Sequence, residues 1–213
     1  MTYRRRLLRS LFVSEDDKAK GSSSRRGKGG PDSYNLYDRT PDFKNNYGWS
    51  VALEEHDYSF LEHSGVSVFL VNLTAGSMMA PHVNPTATEY GVVLGGSGTL
   101  QIVYPNGTSA VNTQIKEGDV FVVPRYFPFC QIASRTGPLE FFGFTTSSRR
   151  NWPQFLVGAS SVLQTLRGPE LAAAFGVSLE RFDSIAGAQR EAVILPTAEV
   201  APGDVESSKE ETE

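Results

Sequence analysis

The sequence predicts a mainly β fold: a single antiparallel barrel or sandwich followed by a C-terminal helical extension. Three observations carry that prediction. Between residues 47 and 146, short β-branched and aromatic runs recur at close spacing. Gly-Gly, Pro-Asn-Gly and Thr-Gly-Pro punctuate those runs as turns. After Arg150 the apolar period shifts from that of a strand to that of a helix. With 213 residues, 39% of them hydrophobic and 21% charged, the chain can bury one substantial core.

In chain order, strands are expected at 51–53, 66–73, 90–94, 99–104, 119–123 and 139–144. Asn106-Gly107 marks the clearest hairpin, because this pair readily adopts the positive φ angles of a tight turn. Gly91, Gly95, Gly96 and Gly98 relieve crowding where strands bend around a closed barrel. A helix is expected over 153–166, with Phe155, Val162, Leu163 and Leu166 on one stripe. Pro169 opens a second, short helix that stops at Gly176. Ser178 caps a third, in which Leu179, Phe182 and Ile185 recur every three residues. The run 192–196 returns as a strand or a docking segment. Residues 171–182 also read as a helix-turn-helix. A DNA-reading helix needs basic and amide side chains, and this one offers Glu180 and Asp183 beside Arg181, so nucleic acid is set aside as a partner.

Charge is segregated to the ends. Residues 1–33 carry nine Lys/Arg against four Asp/Glu, and residues 199–213 carry six acids against one lysine. The polar, glycine-rich composition of 1–33 reads as a disordered basic linker, and 197–213 as a disordered acidic tail. These limits leave 34–150 for the barrel and 151–196 for the helical extension, which is expected to return to the barrel and make a subunit contact. No apolar run is long enough to span a bilayer, so no membrane partner is expected. Four arginines break the N-terminal apolar patch, so it fails as a signal peptide; the chain has either a cytosolic start or a lost N-terminus. The lone cysteine rules out an internal disulfide.

The chemistry-bearing stretch runs from Gly76 to Gly96. On an extended segment alternate side chains share a face, which points His82 and Asn84 into one interior, with Glu89 one hairpin further on. A catalytic metal normally takes three protein donors and keeps positions open for water or substrate. Here an imidazole and a carboxylate are joined only by a neutral amide. The bland reading of His82 is an inward histidine hydrogen-bonded to Glu89 or Tyr90. The spacing Gly-x5-His-x-Asn-x4-Glu resembles the first signature of the cupin superfamily, with Asn84 in place of the second histidine. The run Gly118 to Cys130 resembles the second signature, whose ligand histidine is replaced by Phe127 or Phe129. These are degenerate metal-site positions, and the expectation is no cofactor, a weakly held metal ion aside.

Longer runs narrow the resemblance. Residues 34–49, the degraded motif, 124–134, 141–146, 168–176 and 189–196 are together similar to the C-terminal cupin of vicilin-like seed storage proteins. The resemblance implies a cupin-type jelly-roll barrel and a nutrient reservoir. It also implies a homotrimer or pairing with a second cupin domain or chain, made through the secretory pathway and held in seed protein storage vacuoles. Some such proteins hold copper on a Cys-x-His pair and a later histidine; here Ala80 and Phe127 stand at the outer positions.

Two other readings compete with storage. One is a metal-dependent cupin enzyme, an oxidase or dioxygenase, using His82, Glu89 and Cys130, whose soft thiolate favours copper or zinc. The other is a module for a small aromatic or carboxylate ligand, with His82, Glu89, Tyr90, Arg125 and Tyr126 at the barrel mouth and Cys130 beside them. Two sequons, at Asn106 and Asn72, are candidate glycan acceptors, Asn106 at a hairpin tip and Asn72 within a strand.

Overall fold

The run of β-branched and aromatic residues folds as a nearly closed antiparallel barrel, seen in a computed structural model that describes residues 33–149 and 151–198. The expected linker and acidic tail lie outside the described residues, apart from their innermost positions. Twelve strands are present among the described residues. The first hairpin joins β1 (Phe43–Asn45) to β2 (Gly48–Leu53), and β3 (Ser67–Leu73) follows a short helix, Phe60–Ser64. Next come the short β4 (Ser77–Met79) and β5 (His82–Val83).

The following strand, β6 (Glu89–Val103), is continuous where two separate strands were expected. Its first half pairs with β8 (Val120–Val123) and β10 (Leu139–Thr145); its second half pairs with β7 (Ser109–Lys116) and β9 (Pro128–Ala133). It therefore belongs to both walls of the barrel. The crossover is at Gly96, whose φ of +80° is a conformation side chains avoid. A Cβ there would run into the Pro138 carbonyl. The glycines expected to relieve crowding do so at 91, 96 and 98, whereas the space around Gly95 is open.

The hairpin at Asn106 differs in detail from its prediction. Gly107 alone takes a positive φ, and the loop closes from Tyr104 to Thr108. Strands β7 and β9 escaped the sequence reading, because Asn112, Thr113 and Gln114 dilute the one, and the other begins within the second signature and runs past it.

After the barrel the expected helix 153–166 is mostly absent. Gln154–Phe155 forms β11, an edge partner of β5, and only Val162–Thr165 is helical, with the Ser161 hydroxyl capping Gln164. Pairing with β5 draws Phe155 into the core and overrides the weak helical stripe. Pro169–Ala174 and Leu179–Ala186 are helices, the second capped by Ser178. Of the predicted stripe on that last helix only Phe182 is buried; Leu179 and Ile185 are exposed.

The chain then returns as β12 (Ile194–Pro196) against β4. Asn45 clamps the return by donating to Glu191 Oε2 at 2.7 Å and to the Ile194 carbonyl at 2.8 Å. Leu73, Val93, Val123, Leu139, Phe141 and Val193 to Leu195 form the interior against which the site is built.

Candidate functional site

The cupin-signature residues converge as the period-2 argument requires, although they do not bond as expected. His82 and Asn84 are buried and line one cavity of about 110 Å³ together with Glu89. His82 does not reach Glu89 or Tyr90; its Nδ1 sits 2.8 Å from the Ala80 carbonyl. That contact makes Nδ1–H the donor and leaves Nε2 as the ring's lone-pair nitrogen. Burial holds the imidazole neutral by lowering its pKa to about 4.

Of the two phenylalanines aligned with the second signature's histidine, Phe129 is the one that faces His82. Phe129 pairs in register with His82 across β5 and β9, and the two rings lie 4.0 Å apart, with Phe155 on the histidine as well at 5.4 Å. Phe127 packs instead against Tyr104, at the end of the turn that begins at Pro124. Within that turn Tyr126 is the one non-glycine residue with positive φ among the described residues.

Glu89 is held by two amides. Asn84 Nδ2 donates to Oε2 at 2.8 Å and Gln131 Nε2 donates to Oε1 at 3.3 Å. Burial pushes its pKa up to about 7, even though both hydrogen bonds favour the ionised form. Because each amide points its nitrogen at the carboxylate, Asn84 Oδ1 and Gln131 Oε1 are left buried without a partner. Gln131 was missed by the sequence reading. Its signal was available: it stands two residues after Phe129 on the same strand and so faces the same interior.

Four expected pocket residues are elsewhere. Tyr90 alternates with Glu89, points outward and stacks on Phe144 at 4.9 Å. Arg125 and Tyr126 pair with each other in the exposed turn, 5.6 Å from guanidinium to ring centre. Cys130 falls on the opposite face of β9 from Phe129, against Met78 and the Met79 carbonyl. Burial raises its thiol to about 12, and its sulfur lies away from the cavity that His82 and Glu89 line. The remaining cavity wall comes from β2, β3, β10 and the segment before β11, including Ser67 of β3 and Thr145 of β10, whose hydroxyls bond at 2.7 Å.

Of the two sequons, Asn106 lies exposed in the β6–β7 turn, where its Oδ1 accepts from the Thr108 backbone and hydroxyl. Asn72 is half-buried in β3, beside Glu140.

Comparison with known proteins places this geometry. The Cupin family model matches residues 34–182. A vicilin-like seed storage protein of Arabidopsis thaliana is 59% identical over 94% of the chain, which spans 39% of that protein. A second Arabidopsis thaliana vicilin-like seed storage protein is 39% identical over 85% of the chain, covering 27% of its own length. The chain thus spans well under half of each relative. Among solved structures, hazelnut (Corylus avellana) vicilin superposes with a TM-score of 0.72 at 25% identity, over 78% of this chain and 48% of that one. The matched span takes in both degraded signatures and the barrel that carries them, so this chain belongs to the cupin family, with its similarity running to the vicilin-like seed storage proteins.

Proposed function

We propose that the chain is a nutrient reservoir of the vicilin-like type, without catalytic turnover. The observation that carries the reading is the replacement of the metal ligands. Asn84 commits its amide nitrogen to Glu89, and Phe129 brings no donor atom. One imidazole and one carboxylate are too few strong donors to retain a transition metal. Cys130, on the far face of its strand against Met78 and the Met79 carbonyl, adds nothing to them. The oxidase or dioxygenase reading lacks its ligand set on these chemical grounds. A storage role needs only compaction, resistance to unfolding and hydrolysable peptide bonds.

Assembly belongs to the same reading. Tyr90, Phe144, Val120 and Val122 form an apolar outer face of the barrel, with Val120 at 73% exposure. Such a face suits pairing with a second cupin barrel. Leu166, Phe175, Leu179 and Ile185 are exposed on the helical extension and suit a subunit contact in a homotrimer. The compartment that fits is the seed protein storage vacuole, reached through the secretory pathway. No helix among the described residues is long and apolar enough to cross a membrane.

Protein purified from seed tissue tests the reading. It should be abundant, decline during germination, sediment as a multiple of the protomer mass and hold under about a tenth of an equivalent of manganese, iron or copper. Scarcity in seeds with specific expression elsewhere, or a stoichiometric metal accompanied by turnover, overturns it.

A further inference from the structure

The cavity around Glu89 is rich in acceptors, and no lysine or arginine among the described residues lines it. Asp42 and Glu54 also border it, but both are engaged: Asp42 with Arg39 and the Ala52 amide, Glu54 with His56. Glu89 differs, since its hydrogen bonds come from two neutral amides and bring it no counter-charge. Those amides leave two oxygens buried and unpartnered, on side chains that are each 1% exposed. The wall is otherwise mainly hydrocarbon, with Phe69, Val71 and Phe155 prominent. At about 110 Å³ the space far exceeds the roughly 10–15 Å³ that one water needs.

Unmet acceptors call for a donor, and a buried carboxylate calls for positive charge. We propose that this cavity binds a small primary alkylammonium ion, its N–H donors directed to Glu89, Asn84 Oδ1 and Gln131 Oε1 and its hydrocarbon against Phe69, Val71 and Phe155. A primary ammonium carries three donors, enough to reach Glu89 and both amide oxygens, with the lone pair of His82 Nε2 a further acceptor on the same wall. A carboxylate ligand, one of the two classes that the competing binding reading offered, would face Glu89 with no lysine or arginine among the described wall residues to receive it. A hard metal ion would need oxygens on all sides, where this wall offers mostly carbon. The inference goes beyond the storage reading and does not rest on it.

The test is titration calorimetry on the 213-residue chain with n-propylammonium chloride, sodium propionate, propan-1-ol and calcium chloride at matched ionic strength. Propylammonium binds with 1:1 stoichiometry, propan-1-ol binds about tenfold more weakly or less, propionate does not bind, and calcium does not displace the amine. Glu89→Gln weakens propylammonium binding about tenfold or more, and Gln131→Met weakens it several-fold, with far-UV circular dichroism unchanged. Binding of propionate, displacement by calcium, equal affinity for the alcohol, or silence in every arm, as for a cavity holding water alone, overturns the proposal. So does a folded Glu89→Gln variant with unchanged affinity. If that variant fails to fold, an unchanged affinity in Gln131→Met overturns it instead.

Discussion

The imidazole of His82 and the phenyl ring of Phe129 face each other 4.0 Å apart, on paired strands of the barrel interior. A carbon ring thus occupies the place from which a second donor would reach a shared ion. Restoring nitrogen should restore the site. The double variant Asn84→His, Phe129→His is expected to retain about one equivalent of divalent transition metal through desalting, where the parent chain retains less than about a tenth. Atomic absorption on both proteins checks this, and an equally empty double variant refutes it. His82 is ready for the role, since the Ala80 carbonyl fixes its Nδ1 and leaves Nε2 free to coordinate.

Stability against pH should show two opposing slopes that nearly cancel. Glu89 has its folded pKa raised from 4.5 to about 7, so its contribution is full below about 4.5 and is lost as pH rises through 7. His82 has its folded pKa lowered from 6.5 to about 4, so its contribution is full above about 6.5 and is lost as pH falls through 4. Each amounts to an upper bound of about 3 kcal/mol. In Glu89→Gln only the histidine slope remains. Urea melts of that variant should gain stability steadily from pH 4 to about 6.5, while the parent stays nearly flat over the same window.

Glycine substitutions should separate a filled position from an open one. Gly96→Ala places a Cβ against the Pro138 carbonyl at a φ of +80°, and is expected to cost more than about 3 kcal/mol. Gly107→Ala meets no neighbour at a φ of +89°, and should cost only the left-handed backbone term of about 1–2 kcal/mol. Denaturant midpoints of the two variants decide this; equal losses would refute the crossover role assigned to Gly96.

If the chain traverses the secretory route, Asn106 rather than Asn72 should carry the glycan. Asn106 is exposed, and its Oδ1 already accepts from the Thr108 hydroxyl, whereas Asn72 is half-buried near the end of a strand that is paired on both sides. Expression in a plant secretory host should give a glycosidase-sensitive mass shift that Asn106→Gln removes and Asn72→Gln leaves in place.

The barrel was legible because strand periodicity and glycine turns are local signals, and the facing of His82, Asn84 and Glu89 followed from the same alternation. What failed was partnership. Residues 153–166 carry a helical stripe too weak to resist pairing with β5, a long-range contact that no local window contains. The partner of Glu89 was misjudged for a related reason: one of the carboxylate's two amide donors, Gln131, arrives from a strand 42 residues away. Tyr90, Arg125, Tyr126 and Cys130 were drawn into the pocket by their chemistry, while alternation or the exposed turn sends each of them elsewhere.

The return of β12 to β4, clamped by Asn45 on Glu191 and Ile194, has one more outcome. A protease that nicks the exposed helical segment severs a covalent link, yet both fragments stay hydrogen-bonded into the same wall. Digestion would then proceed in stages, with the outer coat trimmed first and the barrel surrendered last.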